Sequence, residues 1–190
     1  MVSQDWLILI VFVLALGAQI IMRSFLLRWL KYIFLLGVGL VFGSASYLTL
    51  LLYQNWKNGE LTELFLPPHQ SPGYFFSYAG YHFFVPWLIS LLAAILVSRL
   101  AERGNKRFGE RFFETEEIGM MRLSIFLVGY PGILFYAILT LVSGLLFSIF
   151  YLLNSRGRAP LYYLWLPLGI AVILAEKFLI PASLIRFFTL

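Results

Sequence analysis

Few side chains in this sequence could carry out chemistry, because only 12% of its 190 residues are charged and none is a cysteine. The lack of cysteine excludes disulfides, thiol catalysis and zinc–thiolate sites. A single aspartate, Asp5, leaves the glutamates to supply any paired-carboxylate mechanism. No serine lies in a nucleophile motif, and the two glycine-rich phosphate-binding fingerprints are absent.

Glu117 is the main candidate for acid–base catalysis. It ends an acidic run that begins at Glu114 and directly precedes an apolar segment. Carboxylates in the first turn of a helix also stabilise the helix, because its N-terminus carries a partial positive charge. Glu117 therefore has two open interpretations, a catalytic acid/base and a helix cap.

A metal site would have to use His69 and His82, joined by Glu60 and Glu63. Metal ligands must converge on one point, and no closely spaced pair among these residues provides that convergence. We therefore predict no metal ion and no cofactor. The dense aromatic residues around His82 predict either an interfacial aromatic belt or a lip that binds a lipid or a peptide.

Three ionisable residues fall inside apolar segments, and such residues are functional candidates because a charge in the bilayer is costly. Glu176 and Lys177 are adjacent, so their side chains point to different helix faces. They also lie near the end of their segment, where snorkelling to the interface accounts for them. Arg122 lies one turn into a short apolar helix, close to Glu117 and Glu116, which predicts a local ion pair.

The elements that would position these residues are apolar helices. The sequence is 61% hydrophobic, whereas a soluble domain is roughly 45–50% apolar, so soluble and disordered classes are excluded. About 20 apolar residues cross a bilayer core, and segments of this length are helices. The Tyr130-Pro131-Gly132 sequence should end the fourth helix early. We predict one all-α, polytopic integral membrane domain, residues 1–190, with segments at 6–22, 32–53, 81–98, a short 118–130, 133–153 and 161–180.

The basic residues predict the orientation of these segments. Eleven of the fourteen Lys and Arg residues fall in the regions 23–31, 99–122 and 156–158. Alternating crossings place all three regions on one side, which the positive-inside rule makes cytoplasmic, with both termini on the other side. The net charge of +5 is then a topology signal. We expect the lipid bilayer and other membrane protein subunits as partners, and no nucleic acid.

Residues 99–180 carry a further pattern. A basic stretch leads to Glu114-Thr115-Glu116-Glu117, a short helix, the break Gly129-Tyr130-Pro131-Gly132, a full span and the basic loop 154–158 before Pro167. This order resembles the C-terminal half of type IV prepilin peptidases. The resemblance implies intramembrane peptidase activity, with Glu117 in the place of the second catalytic aspartate. The family's Gly-x-Gly-Asp motif is not retained, and Glu60, the nearest counterpart of the first aspartate, is predicted to lie across the membrane.

The leading hypothesis is a non-catalytic membrane component, such as an accessory or assembly subunit of a membrane complex. It follows from the incomplete catalytic constellation and from the aromatic, apolar helix faces. One alternative is a divergent prepilin-peptidase-like intramembrane protease that uses Glu117. The other is a small transporter or lipid-handling protein that uses Glu176, Lys177 or Arg122.

Overall fold

The computed structural model describes residues 2–21, 23–109, 113–154 and 161–179, without the side chains of 2–5, 23–27 and 115. The predicted all-α class is confirmed, because every regular element in these ranges is helical. Short 3₁₀ helices lie at Glu63–Phe65 and Leu161–Tyr163, and a π-helical segment, Gly80–Phe84, joins two α-helices. The α-helices are α1 (Val2–Ile21), α2 (Arg23–Asn58), α3 (Pro72–Ala79), α4 (Val85–Arg107), α5 (Thr115–Val128), α6 (Gly132–Leu153) and α7 (Trp165–Phe178).

Four helical stretches within the described residues are long and apolar enough to cross a membrane, which fits a membrane location. They are Arg28–Asn58, Pro72–Arg107, Gly132–Leu153 and Leu161–Phe178. These stretches contain or largely overlap the predicted second, third, fifth and sixth segments. At the other two predicted segments the apolar stretches are shorter: Trp6–Ile21 within the 20-residue α1, and the 14 residues of α5.

Two helices extend beyond their predicted apolar segments. Helix α2 is continuous over 36 residues and includes Arg23–Lys31, which the sequence analysis placed in a loop. Helix α4 continues past Ser98 to Arg107. The physical reason is the same in both cases, because these basic stretches contain no proline and are rich in Leu, Arg and Lys, which favour helix.

The predicted break at Tyr130-Pro131-Gly132 separates α5 from α6. Gly129 adopts a φ of 76°, in the left-handed region that favours glycine. A Cβ at this position would also lie 2.9 Å from Cη2 of Trp87. The chain therefore reverses at a residue where both the backbone conformation and the neighbouring ring require glycine.

Helix α5 forms the centre of the bundle. Met120, Leu123, Phe126 and Leu127 are almost completely buried, and α5 packs against α4, α7, α2 and α6. Small residues allow close helix contacts around it, as is common in membrane bundles. Gly119 faces Leu30 of α2.

Side-chain contacts define the two ends of the bundle. The start of α2, the end of α4 and the first half of α5 meet through the contacts Leu30–Gly119 and Arg122–Glu102. We call this the basic end, because it carries the exposed Arg28, Lys31, Arg99, Arg103, Lys106 and Arg107. The opposite, aromatic end joins the start of α1 to the end of α7 and holds a cluster of rings around Trp56.

Candidate functional site

Glu117 lies in the first turn of α5 at the basic end and is only 3% exposed. The backbone N–H of Glu114 donates a hydrogen bond to Oε2 of Glu117 at 3.0 Å. In return, the Glu114 carboxylate accepts a hydrogen bond from the backbone N–H of Glu117, which completes a capping box. The contacts of the Glu117 carboxylate are therefore those of a helix cap. Its catalytic role stays a prediction.

Glu60, the predicted counterpart of a first catalytic acid, lies far from Glu117. Glu60 is exposed and follows the end of α2. Glu117 lies near the start of α2, because Leu30 packs on Gly119. The part of α2 between these points is about 40 Å long at 1.5 Å per residue. The two carboxylates therefore cannot share a proton in this fold.

Arg122 links α5 to α4. Its Nε donates a hydrogen bond to Oγ of the buried Ser98 at 2.8 Å, and its Nη2 contacts Oε1 of Glu102 at 2.7 Å. Ser98 and Glu102 lie one turn apart on α4, so a single guanidinium spans both. The partner Glu102 belongs to another helix, which the sequence analysis did not identify.

Glu176 and Lys177 point to different neighbours, as their adjacency predicts. The Nζ of Lys177 lies 3.7 Å from the centroid of the Trp6 ring, a cation–π contact between α7 and α1. This Nζ is buried and has no hydrogen-bond partner among the described residues. The Glu176 carboxylate packs closely on the backbone of Gly132, since a Cβ built on Gly132 would lie 2.8 Å from Oε2 of Glu176. The carboxylate thus sits at the positively polarised start of α6.

The histidines do not form a metal centre within the described part of the chain, where no group of three His, Asp or Glu residues converges. His69 is exposed in the loop before α3, and the His82 ring packs on Tyr78 with centroids 4.3 Å apart. The surrounding aromatics form a compact cluster at the aromatic end. Around Trp56, ring centroids lie 5.1–6.3 Å away for Phe65, Tyr74, Phe75 and Tyr78.

Buried polar groups lie inside the bundle, and an open apolar groove lies at its surface. The Tyr136 hydroxyl donates to the carbonyl of Trp165 at 3.1 Å. The hydroxyls of Ser124 and Thr140 are buried beside this Tyr136 hydroxyl. A groove of about 320 Å³ between α6 and α7 is apolar throughout. Its lining residues are Phe135, Ile138, Leu139, Val142, Ala171, Val172 and Ala175.

One exposed face of α2 combines glycines with large apolar side chains. Leu36 and Leu50 are 62% and 63% exposed. A Cβ built on Gly39 or Gly43 would have no neighbour within 4 Å among the described residues, apart from the adjacent backbone of α2 itself. Gly37, on the opposite side of the helix, differs because its Cβ would meet Cδ2 of Leu127 at 3.4 Å. We call this surface the α2 glycine face. Its residues follow one another at intervals of alternately four and three positions, which keeps them on one side of the helix. They are Tyr32, Leu36, Gly39, Gly43, Ser46 and Leu50.

The sequence analysis missed this face. The Gly-x-x-x-Gly spacing of residues 39 and 43 is typical of packing between membrane helices and is visible in the sequence. The spacing alone does not distinguish glycines that pack inside the chain, such as Gly37, from glycines that face outward. That distinction required the position of α5 against α2.

No protein-family model matches the chain, and neither a curated protein nor a solved structure is significantly similar to it. The resemblance to prepilin peptidases accordingly stays a hypothesis based on residue spacing. The function must be argued from the geometry of the site itself.

Proposed function

We propose that this protein is a non-catalytic integral membrane subunit that joins a larger membrane complex through the α2 glycine face. The observation that carries this proposal is the open space around Gly39 and Gly43 in the apolar central part of α2. The partner is a membrane helix of another subunit, seated along the six residues of this face.

Gly39 and Gly43 lower the intrinsic stability of helix α2. A glycine inside a helix is less favourable than alanine by about 1 kcal/mol. Gly37 is accounted for by its contact with Leu127, but no contact within the described chain accounts for Gly39 or Gly43. Small residues permit close backbone approach between membrane helices, which gains dispersion contacts. A partner helix on this face would therefore offset the cost of both glycines.

The ionisable residues support a non-catalytic role. Glu117 caps α5, Arg122 ties α5 to α4, and Lys177 lies over Trp6. Each group thus has structural contacts of its own: Glu117 and Arg122 make theirs at the basic end, and Lys177 makes its contact at the aromatic end. A catalytic site would need such groups to converge around one reacting atom.

The proposed topology keeps six segments with both termini on the non-cytoplasmic side. At 1.5 Å per residue, α1 is about 30 Å long and matches a bilayer core, whereas α5 is about 21 Å long. Helix α5 is surrounded by other helices, so its short length is acceptable inside the bundle. The basic end is assigned to the cytoplasmic side by the positive-inside rule.

A test compares Gly43→Leu with Ala137→Leu in native membranes. Both residues are small and exposed, but Ala137 lies on α6. After mild detergent extraction, native electrophoresis should show that Gly43→Leu runs as the lone chain, while the wild type and Ala137→Leu run as the complex. A wild type that runs alone and turns over a membrane substrate would overturn the proposal. Prepilin cleavage that is lost in Glu117→Gln would favour the peptidase instead.

A further inference from the structure

The outward face of α4 changes from apolar to basic along the helix. Leu92 and Leu96 are 66% and 62% exposed. Their helical positions continue directly into exposed basic side chains at the basic end of the bundle. Those basic residues are Arg99, Arg103, Lys106 and Arg107.

The positive charge on this face is not balanced by α4 itself. Glu102 is the only carboxylate in α4. It is bound to Arg122 of α5 at 2.7 Å, and a turn of about 100° per residue places it to the side of the Arg99 and Arg103 positions. The ion pair therefore neutralises the one acidic group of α4. On the neighbouring α5, the carboxylates of Glu114 and Glu117 accept each other's backbone N–H groups in the capping box.

The arrangement matches the shape and chemistry of one phospholipid. An acyl chain can lie along Leu92 and Leu96, because these side chains face outward on an apolar helix. A headgroup phosphate would then lie one to two turns farther along, within reach of Arg99 and Arg103. Arginine binds phosphate oxygens through paired N–H groups, and basic clusters that directly follow a membrane helix attract anionic lipids.

We propose that this face of α4 is a binding site for an anionic phospholipid, with the acyl chains on the leucines and the phosphate on the arginines. Continuity between the apolar and basic parts favours a lipid over a soluble anion, which would gain nothing from the leucines. The site lies on α4, so it does not depend on the proposed partner of the α2 glycine face.

The experiment uses the purified full-length chain in vesicles that contain equal amounts of phosphatidylcholine and phosphatidylglycerol. After extraction in mild detergent, native mass spectrometry counts the lipids of each type that stay bound. The wild type should retain phosphatidylglycerol in preference to phosphatidylcholine. The double variant Arg99→Gln/Arg103→Gln should weaken phosphatidylglycerol binding by about fivefold for each removed charge, and Arg99→Lys/Arg103→Lys should keep most of it.

The matched control is Arg28→Gln/Lys31→Gln, which removes the same charge from the basic end but from α2. This variant should retain phosphatidylglycerol nearly as well as the wild type. Circular dichroism should show unchanged helix content in every variant, because the four substituted side chains are exposed. Equal losses in both Gln variants, or equal retention of the two lipids by the wild type, would overturn the proposal.

Discussion

Replacing Gly39 and Gly43 by alanine should stabilise the isolated chain and weaken its assembly. A glycine-to-alanine change inside a helix contributes about 0.5–1 kcal/mol through backbone entropy. Within the described part of the chain, neither new Cβ would have a neighbour within 4 Å beyond the adjacent α2 backbone, so there is no steric cost to subtract. Because helix propensity acts residue by residue, the two substitutions together should contribute about 1–2 kcal/mol. In the complex, the same methyl groups would hold the partner backbone away.

The assay has two parts. Unfolding of the purified double variant in mild detergent, followed by far-ultraviolet circular dichroism during titration with sodium dodecyl sulfate, gives the change in the free energy of unfolding. Native electrophoresis of extracted membranes gives the fraction of chain in the complex. Gly37→Ala is the matched control, because it makes the same change on the opposite face of α2, where the Cβ would meet Leu127 at 3.4 Å. This control should leave the complex intact.

Two results would refute this reasoning. A lower free energy of unfolding for the isolated double variant would show that the space around Gly39 and Gly43 is not open. A complex that survives both alanine substitutions at the wild-type level would show that the α2 glycine face is not the interface. The opposite signs of the two effects distinguish an interface from a general loss of stability.

Three further substitutions test the bundle itself. Gly169→Ala should lower the free energy of unfolding by about 1–3 kcal/mol, because its Cβ would lie 2.6 Å from Cζ of Phe12. Thermal unfolding measures this loss, and adding Phe12→Val should recover part of it. Glu117→Ala should lower the free energy of unfolding by about 1 kcal/mol, and Glu117→Gln should lower it less, because glutamine also completes a capping box. Equal losses for the two variants in chemical denaturation would contradict the capping role. In a double-mutant cycle, Arg122→Gln and Glu102→Gln should show a coupling energy of about 0.5–1 kcal/mol, because the ion pair is partly exposed. Purely additive losses would mean that this ion pair does not stabilise the contact between α4 and α5.

The helical class and the break before α6 could be predicted because their causes are local. Long apolar runs require internally hydrogen-bonded helices in lipid. A proline in the interior of such a run removes a backbone hydrogen bond and clashes with the preceding turn, which interrupts the helix. The true lengths of α2 and α4 were not predicted, because the sequence analysis ended each segment where its apolar run ended. Helix formation depends on backbone propensity, and the basic residues 23–31 and 99–107 have a high propensity.

The interactions of the candidate residues were harder to predict, because they depend on packing between helices. The sequence identified Arg122 as an intramembrane charge but could not identify Glu102 as its partner, which is 20 residues away on α4. It also identified the acidic start of α5, where local helix physics correctly suggested capping by Glu117. The outward orientation of Gly43 could be recognised only after the buried side of α2 was known.

The most direct test of the proposed function is cross-linking from a single cysteine, because the natural chain has none. Ser46→Cys lies on the α2 glycine face, and Ser148→Cys on α6 is the matched control. Both serines are exposed. Each hydroxyl donates a hydrogen bond to the backbone carbonyl four residues earlier, at 2.9 Å for Ser46 and 2.7 Å for Ser148. In native membranes, a thiol-linked photoreactive probe at position 46 should join the chain to one membrane protein, and Gly43→Leu should abolish that product. Position 148 should yield only lipid adducts, and lipid adducts alone from position 46 would contradict the proposed function.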